Sequence, residues 1–268
     1  ANSGNTTNTS FTVSAGYYYF KNLRSSSGTV TITPRWVANT YTVTYNANNG
    51  YFSDSTQTKS ITASYDSSYT IPTVTRTGYT YGGWTVSGMD TVTTHYFYYG
   101  SSNTSSTASS ITLSTAYTSY LNLRGSSGTV TFVARWTANT YTISYDLGAG
   151  SWSGTETHPT SATYDQVFYL DNVFESEESW PFGYYFNGWT ISGLYGNYYR
   201  GSTSSVSKVS TNYSNGSATV ATSYKYFKNL TNVNGGSVKF TAVWQPYSYN
   251  LEYVANGNKA VLSSSSAT

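Results

Sequence analysis

The chain contains no cysteine, which excludes disulfides, thiolate metal sites and cysteine nucleophiles. Charge is nearly as scarce. Its 13 basic and 11 acidic side chains leave a net of +2, which offers no electrostatic footprint for nucleic acid or an anionic membrane. No apolar run reaches the ~18 residues a membrane-inserted helix needs. The start, Ala1-Asn2-Ser3-Gly4, has neither a charged nor an apolar leader segment, so a signal peptide is expected to be already removed or outside this sequence. Aliphatic core material is short as well: Leu, Ile, Val and Phe total 46 of 268 residues, a level that would suggest disorder if the net charge were high. What the chain has instead is 48 aromatic residues, 30 of them Tyr, so its core is expected to be built from rings. Ser and Thr make up 88 positions, and Lys and Glu are few. That balance reads as a secreted, extracellular or cell-surface protein.

The sequence overlays on itself. Residues 22–50 match residues 122–150 with 18 identities in 29 positions. A third copy runs from Asn229 to Trp244 and continues into Tyr249-Asn250-Leu251-Glu252-Tyr253, keeping the five-residue step from Trp to Tyr seen at 36/41 and 136/141. A second block, Gly78-Tyr79-Thr80-Tyr81-Gly82-Gly83-Trp84, overlays Gly183-Tyr184-Tyr185-Phe186-Asn187-Gly188-Trp189. Ahead of it, Tyr65-Asp66 matches Tyr164-Asp165. The period is 100–108 residues. It divides the chain into the C-terminal part of a repeat (1–38), two full repeats (39–138 and 139–246) and the N-terminal strand of another (247–268).

Alternation makes the repeats mainly β. Tyr41, Val43 and Tyr45 alternate with Thr42 and Thr44, and Tyr141, Ile143 and Tyr145 with Thr142 and Ser144. In the closing strand Val130, Phe132, Ala134 and Trp136 share a face, as do Val238, Phe240, Ala242 and Trp244. The first copy reads Val30, Ile32, Pro34 and Trp36; Pro34 cannot donate to a ladder, which predicts an edge strand or a bulge there. Helix is limited to at most a short turn near 56–65 or 164–170.

The order Y-T-V-T-Y-x-A-N-x-G, then Tyr-Asp, then G-Y-x-[YF]-x-G-W, then a strand ending in A-R-W resembles the Listeria-Bacteroides repeat, also known as the internalin B-repeat. The resemblance covers both full units and the two partial ones. The units here are longer, with Ser/Thr-rich insertions at Gly100–Ser114 and Gly201–Ser217. The resemblance implies tandem, β-grasp-like modules in an elongated arrangement on secreted and surface-anchored bacterial proteins, and no catalysis.

The residues themselves point away from an enzyme and from any cofactor. His95 and His158 lack partners at metal-ligand spacing. Asp171, Glu175, Glu177 and Glu178 form the densest charge but lack a calcium-loop pattern, so a solvated insertion is expected. Asp66 and Asp165 are the acids that recur, inside turns where Asp bonds backbone. No G-x-S-x-G elbow accompanies the many serines. Lys21-Asn22 and Lys228-Asn229 recur without an acid at hand, which argues against a Lys–Asn crosslink. Trp36, Trp84, Trp136, Trp189 and Trp244 hold fixed repeat positions and are expected in the core. Tyr17, Tyr18, Tyr19, Tyr96, Tyr98, Tyr99, Trp152, Trp180, Tyr198 and Tyr199 are clustered or non-recurrent, and are candidates for an exposed glycan- or partner-binding surface.

The expectation is a non-enzymatic structural repeat protein of a bacterial surface, a spacer or adhesin. A sharper version of this expectation has it polymerise head to tail by strand addition through Tyr249, Leu251 and Tyr253, against the alternative that these residues are a window of a longer array. The rival expectation is a glycan- or receptor-binding module that uses the exposed rings.

Overall fold

The computed structural model describes residues 10–152, 155, 157–173, 183–251 and 265–267. The chain forms two compact units, Ala1–Ala38 and Asn39–Thr268. Among the described residues there is no helix, and the fold is mainly β.

The second unit begins with β1 (Thr40–Asn46), β2 (Thr58–Ser64), β3 (Ser68–Thr70), β4 (Tyr79–Ser87) and β5 (His95–Tyr99). It continues through β6 (Ser102–Ser106), β7 (Ser110–Leu113), β8 (Ser119–Leu121) and β9 (Thr129–Ala138). Nine further strands follow: β10 (Thr140–Asp146), β11 (Ser161–Thr163), β12 (Phe168–Tyr169), β13 (Tyr184–Gly196), β14 (Tyr199–Gly201), β15 (Ser207–Lys208), β16 (Tyr213–Val220), β17 (Tyr226–Lys228) and β18 (Gly236–Pro246). β19 (Tyr249–Leu251) and β20 (Ser265–Ala267) close the list as an antiparallel pair. The first nine build a five-stranded sheet, β2-β1-β9-β4-β7, and a four-stranded one, β3-β8-β5-β6. The next nine build β11-β10-β18-β13-β16 and β12-β17-β14-β15, the same order strand for strand. At the centre of each larger sheet the opening strand lies parallel to the closing strand, β1 on β9 and β10 on β18.

Alternation decides the faces. In β1, Tyr41, Val43 and Tyr45 are buried while Thr42 and Thr44 point outward, and in β9 Val130, Phe132 and Ala134 are buried. Rings take the place of the missing aliphatics. Trp84 lies edge-on to Tyr45, Tyr81 and Phe132 at centroid distances of 6.1–6.2 Å. Trp189 is ringed in the same way by Phe186 and Phe240. Such edge-to-face pairs add about 0.5–1.5 kcal/mol each beyond the area they bury.

The Gly-Trp block is a bulge. The pairing of β4 with β9 shifts between Tyr81 and Trp84, and that of β13 with β18 between Phe186 and Gly188. Gly83 has φ +92° and Gly188 +120°, so each takes a left-handed backbone that glycine alone adopts freely. This kink turns the following Trp inward, and each Trp is 1% exposed.

Three expectations are corrected. The stretch 56–65 is mostly strand β2, and 164–170 holds strand β12, not helix. Period-2 burial against a neighbouring strand outweighs the weak helical preference there. Residues 10–38 contain no strand, so the closing strand expected at 29–36 with Pro34 at its edge does not form. β9 and β18 each sit between two ladder partners, and residues 10–38 contain no strand to serve as one. In consequence Trp36, expected in a core, is 88% exposed.

The Tyr45 and Tyr120 hydroxyls share a 2.6 Å hydrogen bond inside the first core. Burial pushes the Tyr45 phenol up to about 12 and raises Tyr120 more strongly. Both groups bind their proton more tightly folded than unfolded. Their stabilisation is therefore complete below the ordinary value of 10.0 and is lost as pH rises through the folded values. Melting temperature should hold up to about pH 10 and then fall, and Tyr45→Phe should make that fall shallower. A fall of the same steepness in Tyr45→Phe would contradict this.

Candidate functional site

Of the rings proposed as an exposed surface, several are consumed by packing. Tyr198 is 1% exposed and packs on Tyr213, so it is removed from the candidate surface. Trp152 is half-buried, stacked on His158 at 4.6 Å and tilted against Trp189, which makes it part of the second core. Its repeat counterpart explains this: Phe52, two residues past Gly50 as Trp152 is two past Gly150, is 3% exposed. Tyr96 and Tyr98 are half-buried on β5, Tyr99 is exposed at its end, and Tyr199 is half-buried beneath Lys228 at 4.7 Å. Trp180 and Tyr253 lie outside the described residues. Trp136 and Trp244 are partly buried, and each donates its indole N–H over 2.9 Å, to the Ala47 and Leu147 carbonyls respectively. Tyr249 is exposed.

The recurring acids are held by Asn122 and Asn229, of which the sequence reading weighs Asn229 as a crosslink partner. Asn122 Oδ1 accepts from the Asp66 backbone N–H at 2.6 Å, and its amide donates back to Asp66 Oδ1 at 2.9 Å. Asn229 repeats this on Asp165, at 2.6 and 3.0 Å. All four residues have φ between +57° and +64°, a conformation that Asn and Asp tolerate better than other side chains. The clamp ties the Tyr-Asp turn to the end of β8 or β17. The recurrence of Asn22, Asn122 and Asn229 beside that of the acids was the available signal. The expectation that no acid accompanies the recurring Lys-Asn pair is corrected at Lys228-Asn229: Asn229 is 3% exposed, and Asp165 lies 3.8 Å from Lys228 Nζ while accepting from the Asn229 amide.

The second clamp is also the joint between residues 39–138 and 139–246. Asn139 sits at its centre, buried. Its N–H donates to the Gly78 carbonyl and its own carbonyl accepts from Tyr164. Its side chain donates to the Asn232 carbonyl at 2.8 Å and accepts from the Thr80 hydroxyl at 2.7 Å. The Tyr79 hydroxyl donates to Asp165 Oδ2 at 2.8 Å, with the Arg76 guanidinium 3.6 Å over the Tyr79 ring. Tyr164 packs edge-on to Tyr79 and lies directly on Gly78, where a Cβ would fall 2.3 Å from its ring.

Burial alone would raise the Asp165 carboxyl, but hydrogen bonds from Asn229 and Tyr79 and the charges of Lys228 and Arg76 outweigh it and hold the group below the usual carboxylate range. A depressed value means stabilisation that is present above the unfolded value of about 3.8 and lost as pH falls through the folded one. Asn229→Ala leaves the Asp165 N–H without its acceptor and should cost about 1–3 kcal/mol, seen as a lower urea midpoint at unchanged slope. The variant should also lose the part of the acid dependence that comes from Asp165. An unchanged midpoint would show the clamp to be incidental.

No group of three or more His, Cys, Asp or Glu side chains with metal-binding geometry occurs among the described residues. Asp171 is engaged by Tyr169, the Thr157 N–H and Lys225, and the glutamates near it lie outside the described residues. His95 is fully buried, its two ring nitrogens 2.9 and 2.7 Å from the Asn122 and Asp90 carbonyl oxygens. An open groove of about 510 Å³ on the outer face of the second large sheet is lined mainly by serines, glycines and Asn215, with Lys239 paired to Asp146.

No family model matches the chain, and neither a curated protein nor a solved structure matches it.

Proposed function

We propose that this chain is a non-enzymatic, extracellular structural protein of a bacterial surface, built from β-grasp-like modules of the Listeria-Bacteroides type. The parallel pairing of first and last strands at the centre of each larger sheet supports the β-grasp comparison, with a second small sheet standing where that fold carries its helix. The observation that carries the functional reading is the joint at Asn139. Residues that recur in both halves are spent on holding each half together and on locking one half to the next, which is what a spacer needs. Head-to-tail association through residues 247–268 belongs to the same reading. One observation favours the glycan-binding alternative: Tyr18 and Tyr19 are 80% and 94% exposed side by side.

Localisation is tested by protease treatment of intact source cells, followed by immunoblotting with antibodies against the purified chain. The reading predicts loss of signal without lysis. A signal that disappears only after lysis would overturn it. A glycan array probed with the wild type and with Tyr18→Ser/Tyr19→Ser decides the alternative, which requires binding that the double substitution abolishes.

A further inference from the structure

We propose that residues 10–38 are a preformed acceptor for the opening hairpin, β19–β20, of a second copy of this chain. The proposal rests on the head-to-tail reading above and specifies both partners of that contact.

On the acceptor side the turn ahead of residues 29–36 already has the backbone found in a completed module. Asn22 has φ +58° and Asn122 +57°; Gly28 has +145° and Gly128 +146°. Arg24 donates from Nε and Nη2 to the Ser26 and Ser27 carbonyls at 3.3 and 3.1 Å, as Arg124 does to Ser126 and Ser127 at 3.4 and 3.1 Å. The loop is thus set by its own sequence. Its apolar face, however, is bare. Val13, Phe20, Leu23, Val30 and Ile32 are 37–65% exposed, whereas their counterparts Leu113, Tyr120, Leu123, Val130 and Phe132 are all 0% exposed. The pattern is that of a core face, and the second unit shows what covers such a face. β1 lies parallel on β9 with Thr42 opposite Thr129 and Val43 opposite Val130.

The donor side has the matching form. In each opening hairpin the first Tyr pairs with an Ala: Tyr41 with Ala63, Tyr141 with Ala162, and Tyr249 with Ala267. β19–β20 is therefore an opening hairpin in register, and Tyr249 is 58% exposed. Carrying the β1–β9 register across places Asn250 opposite Thr29 and Leu251 opposite Val30, with main-chain bonds supplying the affinity as in strand addition.

Because the chain has no cysteine, the register is read directly by crosslinking. Thr29→Cys chains are mixed with Asn250→Cys chains under mild oxidation, and Arg35→Cys replaces Thr29→Cys as the control, six residues farther along. The proposal predicts a disulfide-linked heterodimer in roughly ten-fold excess over the control, since only the first pair falls within bridging distance. Equal yields would overturn it. Sedimentation velocity separates the two levels of the claim. Concentration-dependent association that Ile32→Lys abolishes supports the acceptor. Association of the wild type that survives Ile32→Lys keeps the head-to-tail reading and overturns this interface. A wild type that stays monomeric throughout overturns both and leaves the module reading untouched.

Discussion

Gly83→Ala, and equally Gly188→Ala, is expected to unfold the half of the protein that carries it, although only one methyl is added. At Gly83 the new Cβ would lie 2.0 Å from the Leu113 carbonyl oxygen, and at Gly188 2.1 Å from that of Val220. Both obstacles are backbone, so no rotamer relieves them. The strand carrying the obstacle, β7 or β16, would have to leave the sheet or the bulge would have to flatten and turn the next Trp outward. Backbone strain at positive φ costs about 1–3 kcal/mol and overpacking about 1–3 kcal/mol more. Together these approach the total stability of a domain, about 5–15 kcal/mol. Gly100→Ala is the control: its φ is +57°, yet nothing lies within 4 Å, so the substitution should cost about 1 kcal/mol or less. Thermal melts of the three variants should separate Gly83 and Gly188 from Gly100 by tens of degrees. Similar melts would mean the bulge does not form.

Trp84→Ala should be the most damaging truncation in the first core, at about 3–5 kcal/mol. Its ring contacts Tyr45, Tyr81 and Phe132, and its removal leaves a hole that strands on both sides prevent from collapsing. Trp84→Phe should cost less than Trp84→Ala, because the remaining ring still fills much of the space. Trp136→Phe gives up the bond to the Ala47 carbonyl and should cost about 0.5–1.5 kcal/mol for it. Trp36→Ala should leave the main melting transition within about 0.5 kcal/mol of wild type, since Trp36 is 88% exposed. Urea unfolding of the four variants followed by far-UV circular dichroism gives the ranking, and a Trp36→Ala loss as large as that of Trp84→Ala would contradict it.

Trp36 and Trp136 show where a sequence stops being legible. Their neighbourhoods are nearly identical letter for letter, and periodicity assigns both to a closing strand. Yet a strand exists only in a ladder, and residues 10–38 hold no strand to pair with 29–36. Sequence similarity transmits a segment's preference, not the presence of its neighbours. Strands β1, β9, β10 and β18 were readable because each buries one face over seven residues or more. The four-stranded sheets were not, since β12 and β15 span two residues each, too short for alternation to register. The Asn–Asp clamps were hidden because their partners lie 56 and 64 residues apart, and Asp at a turn already had a local explanation. Tyr198 looked like half of an exposed pair. It shares its place in the sheet order with the buried His95, a correspondence visible only once β14 is matched to β5.

The central claim is that residues 39–246 act as a rigid spacer locked at Asn139. Spin labels introduced through Ser60→Cys and Ser214→Cys, both at exposed positions on opposite sides of the joint, report the distance between the two halves by pulsed electron resonance. The account predicts one narrow distance distribution in the otherwise wild-type chain, broadened several-fold by Asn139→Ala, which removes the bonds to Asn232 and Thr80. A broad distribution without that substitution, or a narrow one that Asn139→Ala leaves unchanged, would contradict it.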